Sequence, residues 1–324
     1  MLHFTAYHLR HTLAVLLRAP THAPDALTCS ARCFSNATCF VDKSGVDIAT
    51  VKPQYAFLFE FEERFDKNAN RLWMHQNWHT SFYWAGLYIG LVFGIKRYMR
   101  DRPPFALKKP LVIWNLLLAC FSILGACRTV PELVHVLRNF GFQHSVCNPS
   151  YIEYDRVAGF WTWLFVLSKL PELVDTIFIV LRKRPLIFLH WYHHVTVLCF
   201  SWYFYQQHIA PARWYVVMNY TIHSLMYSYY AARALHVKLP AGSNWTITLL
   251  QLTQMGVGFY VTLHAYLTGP TCAIVPQTAL WSIYMYLSYF GLFALFFYRA
   301  YIDGGKHRKH PQEADVKSNG KKIN

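Results

Sequence analysis

Apolar residues in this chain gather into seven runs of about twenty, the length at which a helix spans the hydrocarbon core of a bilayer. The runs lie at roughly 79–98, 110–127, 158–181, 186–206, 211–233, 244–267 and 277–299. No water is present in that layer to satisfy backbone polar groups, so a spanning segment is a helix or a strand of a closed barrel. A barrel strand needs only about ten residues. Runs this long and continuous therefore predict an all-α integral membrane protein with seven transmembrane helices. Only 15% of the 324 residues are charged, against 54% hydrophobic, which leaves too little polar surface for an ordinary soluble domain. There is no internal repeat to suggest two related halves.

A net charge of +15 raises nucleic acid as a partner, but the distribution of charge argues against it. Alternate connections hold 18 and 4 Lys and Arg residues. The rich set is KRYMRDRPPFALKK (96–109), RKR (182–184), Arg233 with Lys238, and the stretch from Arg299 onward. By the positive-inside rule that set is cytosolic. An odd number of spans then puts the N-terminus in the lumen and the C-terminus in the cytosol. A nucleic-acid footprint would gather its charge on one soluble face.

Three regions follow: an N-terminal extension (1–54), a seven-helix domain (55–301) and a basic cytosolic tail (302–324). The first twenty residues hold two Arg and no acid and resemble a targeting leader; a lumenal tail or a spurious extension are the alternatives. The tail ends KKIN, so Lys321 and Lys322 match a dilysine retrieval signal of endoplasmic-reticulum membrane proteins. Asn36-Ala-Thr is a lumenal glycosylation site by pattern. Cys147 and Cys272 fall in connections predicted to face the oxidising lumen, which suggests a disulfide between them. Cys120, Cys127 and Cys199 lie within spans and are expected to be buried thiols.

Ionisable and imidazole groups inside a membrane are costly and face a bundle interior or a cavity. The third run, SKLPELVDTIFIVLRK, carries Lys169, Glu172, Asp175 and Thr176, then Arg182. The fourth, LIFLHWYHHVTVLCF, carries His190, His193 and His194. The fifth, MNYTIHSLMYSYY, carries Asn219, His223, Tyr227, Tyr229 and Tyr230; the sixth carries Gln254. Spacings of three and four put residues on one helix face. His190, His193 and His194 form one stripe; Asn219, His223, Tyr227 and Tyr230 a second; Glu172, Asp175 and Thr176 a third. The three stripes are expected to meet in a polar pocket in the cytosolic half of the bundle. A lone membrane histidine, such as His208 or His264, reads instead as a structural hydrogen-bonding residue.

Imidazoles bind metal, move protons or attack an acyl carbon. Membrane di-iron desaturases and hydroxylases also use H-x-x-H-H, but they need several such boxes. This chain has one; His75 with His79, and His307 with His310, lie outside the spans. Di-iron chemistry is the alternative reading, and a seven-span receptor a further, non-enzymatic one.

The boxes LSKLPELVDTIFIVLRK, HWYHH, MNYTIHSLMYSYY and LTQM resemble, in order, those of the very-long-chain fatty-acid elongases. HWYHH, with KPLVIW and FSILGACR upstream, is most similar to the branch that extends saturated and monounsaturated chains of up to about sixteen carbons. The resemblance runs from about Tyr55 to Tyr301. It implies a 3-ketoacyl-CoA synthase: acyl-CoA and malonyl-CoA give 3-ketoacyl-CoA, carbon dioxide and CoA. It implies six or seven helices enclosing an acyl-CoA tunnel, membrane lipid as surroundings, and a ketoreductase, dehydratase and enoyl reductase as partners, with a homo-oligomer allowed. No cofactor and no metal ligand is expected.

Under that resemblance His193 is the expected acyl acceptor, through an acyl-imidazole. His190, His194, His223 and Asn219 assist, and Asp175 or Glu172 orient the imidazoles as carboxylates do in triads. Lys169 and Arg182 are expected at CoA phosphates, with Thr176, Tyr227, Tyr229, Tyr230 and Gln254 as further substrate contacts. Trp202, Phe204, Tyr205, Phe259 and Tyr260 are candidates for the tunnel wall.

Overall fold

The computed structural model describes residues 51–303. Asn36, Lys321 and Lys322 lie outside the described residues, and the glycosylation and retrieval readings with them. Among the described residues all regular structure is helical. Helices α1 (Glu60–Glu63) and α2 (Lys67–Asn77) lead into α3 (Thr80–Tyr98) and α4 (Lys108–Asn139). Short α5 (Gly141–Cys147) and α6 (Ser150–Glu153) precede α7 (Arg156–Ser168), and a 3-10 turn, Pro171–Leu173, separates it from α8 (Val174–Leu181). Then come α9 (Phe188–Tyr205), α10 (Ala212–Ala234), α11 (Ser243–Thr268) and α12 (Pro276–Phe297), the last passing into a π-helical turn, Tyr298–Asp303.

The helix starts are written locally. Asp66 and Asp155 each accept two backbone N–H groups that have no partner in the first turn. Pro276 opens α12, where a missing N–H costs nothing. The third apolar run, expected as one helix over 158–181, is instead broken at Pro171. Proline removes a donor and its ring crowds the carbonyl four residues back, so SKLPEL tightens into the 3-10 turn. The second run, expected over 110–127, extends to Asn139 and carries Pro131 within the helix.

Among the described residues two helical segments, Lys108–Asn139 and Pro276–Asp303, are long and apolar enough to cross a membrane by length and composition. α9 and α10 carry more Tyr, Trp, His and Asn than either, and α7–α8 is interrupted. The neighbours close a ring: α4 on α10, α10 on α11, α11 on α12, α12 on α9, α9 on α3, α3 on α8, and α7 back on α4. The α4–α10 seam is the most extensive. It depends on Gly125, because a Cβ there would overlap the Tyr220 ring.

One end of the ring is fastened by buried polar contacts. Arg128 Nε donates to Glu62 across 2.9 Å, and Trp161 Nε1 donates to the same carboxylate across 2.8 Å. Arg213 Nε lies 2.9 Å from Glu132, and its guanidinium also donates to Ser145 O at 2.6 Å. Cys147 and Cys272 are joined in a disulfide, beside a backbone bond from Ala273 N to Cys147 O. His208 and His264 have local partners, Glu153 at 2.8 Å and Gln143 at 2.6 Å. The expectation of buried thiols at Cys120 and Cys127 fails, since both are exposed. They share an outward stripe of α4 with Ile113, Leu116, Leu117, Ile123 and Leu124, at the three- and four-residue spacing of one helix face. Cys199 is half-buried.

Candidate functional site

A cavity of about 860 Å³ lies within the ring, lined from α4, α8, α9, α10, α11 and α12. α9 begins after RKRPLI, and its apolar sequence carries the imidazoles one turn apart. His190, His193 and His194 all line the cavity. Their rings are close: centroids are 4.6 Å apart for His190 and His194 and 5.5 Å for His193 and His194. The His193 ring packs 5.0 Å from that of Tyr289 on α12. α10 brings Asn219, His223, Tyr227 and Tyr230 to the opposite wall, and α11 brings Gln254. The α9 and α10 stripes therefore face one space, and the third stripe reaches it through Asp175 alone.

The mouth is basic. Lys108 at the start of α4, Arg182 and Arg184 after α8, and Arg233, His236 and Lys238 at the end of α10 all line the cavity. They come from helix ends that a ring of alternating helices places together. Asp175 is the one carboxylate residue on the lining. Such a mouth attracts phosphates by charge, with Arg able to bind bidentately. Beyond it, Leu189, Ile222, Met226, Met255 and Phe293 supply apolar wall. The site thus joins an anion-binding entrance to an imidazole-rich, partly apolar interior.

Of the polar residues of the third run, Asp175 and Arg182 line the cavity, whereas Lys169, Glu172 and Thr176 sit behind the lining. Thr176 is fully buried, 2.9 Å from His190 Nε2 and 2.7 Å from the Tyr88 hydroxyl. It holds an imidazole and does not reach the cavity, contrary to its expected substrate contact. Asp175 accepts from Trp114 Nε1 at 2.6 Å and from the Tyr227 hydroxyl at 2.7 Å. Glu172 accepts from Ser168 at 2.8 Å and from Lys169 at 2.7 Å. Neither carboxylate bonds an imidazole, so the triad-like orientation expected of them is replaced by a threonine at His190 and an amide at His223. Lys169 is 2% exposed and donates also to Asn219 Oδ1 at 3.1 Å. A lysine so enclosed is not at the mouth, where it was expected to meet phosphates. The break at Pro171 explains this, because it separates Lys169 and Glu172 from the regular α8 face that carries Asp175 and leads to Arg182.

Tyr229 lies off the lining, its ring against that of Tyr230. The expected wall aromatics also lie elsewhere. Trp202, Phe204 and Tyr205 are in the packed core, Phe259 packs against that core, and Tyr260 is exposed. Sequence reasoning missed Tyr88, Trp114 and Tyr289, which stand in runs without a charged neighbour to draw attention. It also missed Lys108, Arg184, Arg233, His236 and Lys238 as site residues, although the count of Lys and Arg between the runs contained the four cationic ones. Among the described residues no group of three His, Cys, Asp or Glu converges as ligands for a metal ion.

Residues 73–309 match the model of the ELO family, described as GNS1/SUR4. The chain is 53% identical over 272 residues to very long chain fatty acid elongase 6 of Drosophila melanogaster, covering 82% of this chain and 86% of that protein. It is 47% identical over 253 residues to very long chain fatty acid elongase 6 of Homo sapiens, covering 78% and 94%. Identity to the human very long chain fatty acid elongase 3 is 42% over 234 residues, covering 72% and 86%. With most of its length matched at these identities, the chain belongs to the ELO family.

Proposed function

We infer that this protein is a condensing enzyme of fatty-acid elongation, joining acyl-CoA and malonyl-CoA to give 3-ketoacyl-CoA, carbon dioxide and CoA. The similarity to elongases 6 and 3 supports the activity and favours saturated and monounsaturated acyl chains. One observation carries the assignment of the site: three imidazoles from α9 and one from α10 share a single cavity with a cationic mouth. CoA is polyanionic and the acyl chain apolar, so the two halves of the substrate match the two halves of this space.

In the proposed reaction the CoA phosphates rest among Lys108, Arg182, Arg184, Arg233 and Lys238. A His193 ring nitrogen attacks the thioester carbon; the C–S bond breaks and CoA leaves as the thiol with the imidazole proton. Malonyl-CoA then enters. Its C–COO bond breaks, carbon dioxide leaves, and the electron pair forms an enolate. The enolate carbon attacks the acyl carbon, the C–N bond breaks, and the departing imidazole nitrogen takes up a proton from water, which regenerates neutral His193. His190, His194, His223 and Asn219 supply donors to the developing oxyanions. The interior is low in dielectric, where such donors are strongest.

The membrane arrangement belongs to the same proposal. Seven helices, with α7 and α8 counted as one, cross the endoplasmic-reticulum membrane; the basic mouth opens to the cytosol, where CoA esters are charged and soluble. The N-terminus is then lumenal and the C-terminus cytosolic, and ketoreductase, dehydratase and enoyl reductase act on the product. Incubating purified enzyme with acyl-CoA alone, then mapping peptides by mass spectrometry, tests the covalent step. An acyl adduct on His193 is expected. Absence of any histidine adduct, with condensation intact, would reduce the imidazoles to proton donors and acceptors.

A further inference from the structure

A chain of hydrogen bonds runs from the break in the third run to the cavity. Ser168 and Lys169 both donate to Glu172 Oε1, Lys169 Nζ also donates to Asn219 Oδ1, and Asn219 Nδ2 lies 3.1 Å from His223 Nε2. Lys169, Glu172 and Asn219 are buried; Lys169 and Glu172 lie off the cavity lining, which the chain reaches at Asn219 and the ring of His223.

The bonding inventory of these groups fixes its direction. A lysine ammonium has only donors. The Asn219 atom it touches must therefore be the oxygen, which removes the usual freedom to exchange amide O and N. The Nδ2 group, again only a donor, is then left to face His223. Its contact atom, Nε2, must accept and so carries a lone pair. A neutral imidazole with a bare Nε2 has its proton on Nδ1.

We propose that Lys169, braced by Glu172, sets the tautomer of His223 through Asn219. Lys169 is a positioning residue for the condensation, and His223 presents Nδ1–H to the cavity as a hydrogen-bond donor. The ring is thereby kept from acting as a base through Nε2. A proton placed on that atom would face the Asn219 amide, two donors against each other in a buried contact. The role in condensation rests on the elongase reading above; the tautomer does not. An Nδ1–H donor suits a thioester or enolate oxygen that gains negative charge as bonds rearrange.

The test is nitrogen NMR of purified protein labelled with ¹⁵N-histidine, the His223 ring signals assigned by their loss in His223→Gln or, if that variant fails to fold, His223→Asn. Wild type is expected to show a protonated Nδ1 and an unprotonated Nε2. Asn219→Asp keeps the shape but replaces the donor with a second acceptor, and is expected to move a proton onto Nε2. Lys169→Arg retains the donor and is expected to retain the wild-type signals. Lys169→Met with Glu172→Gln frees the amide without stranding a buried charge. That variant is expected to show both tautomers and to lose kcat by about 10²-fold, the scale of a misplaced proton donor, with KM for acyl-CoA nearly unchanged. An Nε2-protonated or doubly protonated His223 in wild type, or an unprotonated Nε2 surviving in Asn219→Asp, would overturn the proposal. The spectrum is independent of turnover. Inactive wild type with the Nδ1–H form would count against the elongase reading and for this inference, and active wild type with the other tautomer the reverse.

Discussion

Thr176 Oγ1 stands 2.9 Å from His190 Nε2 and is itself held by Tyr88 across 2.7 Å. The second imidazole partner in the site is therefore a hydroxyl pair spanning α3, α8 and α9. Thr176→Val keeps the volume and removes the hydroxyl. A lost hydrogen bond of this kind contributes roughly 1 kcal/mol, about a fivefold change in rate. Elongation by Thr176→Val is expected to fall about fivefold in kcat, with Thr176→Ser near wild type. Equal activity of valine and threonine enzymes in a malonyl-CoA incorporation assay would show that His190 needs no such support.

Asp175 is a cavity residue with two neutral donors, Trp114 and Tyr227. Tyr227→Phe leaves one carboxylate oxygen without its donor. A buried acceptor so stranded costs about 1–3 kcal/mol, so the melting temperature in detergent is expected to drop by several degrees. Trp114→Phe should do the same at the other oxygen, and the two losses together should depart from additivity because both oxygens belong to one carboxylate. A double variant whose loss equals the sum of the singles would contradict a shared role at Asp175.

Much of this arrangement was legible beforehand, for reasons of period and charge. The H-x-x-H-H spacing fixes the α9 stripe, N-x-x-x-H-x-x-x-Y fixes the α10 stripe, and the Lys and Arg residues gathered between the runs foretell a basic mouth. What escaped reading was set by the backbone at Pro171. The sequence SKLPEL reads as part of a continuous span, and a continuous helix would put Lys169 and Glu172 in register with Asp175. The 3-10 turn takes them out of it, and Lys169 bonds to Asn219 instead of approaching the mouth. Tyr88 and Trp114 escaped because their parts depend on which helices become neighbours, which periodicity along a single helix does not encode. Cys120 and Cys127 were misjudged for a related reason: a residue within a span faces either the bundle or the outside, and an apolar helix has little amphipathic contrast to tell which.

Glu153 gives a pH dependence away from the cavity. Burial pushes its carboxyl upward, but hydrogen bonds from His208 and Lys67 outweigh this and bring it down to about 2 from 4.5. A depressed carboxylate adds stability that is fully present above its unfolded value and lost as pH falls through the folded one. The stability advantage of wild type over Glu153→Gln is therefore expected to be constant above about pH 5 and to shrink between 4.5 and 2. Unfolding midpoints across that range measure it. An advantage that grows on acidification would reverse the assigned sign.

The central claim is that the α9 imidazoles act on a thioester in the cavity, and the most direct measurement is incorporation of labelled malonyl-CoA by purified enzyme given a series of saturated acyl-CoAs. Wild type is expected to form labelled 3-ketoacyl-CoA, and His193→Ala to lose that product by a factor of about 10² or more while remaining folded and still binding acyl-CoA. Undiminished product from a folded His193→Ala enzyme would contradict the account.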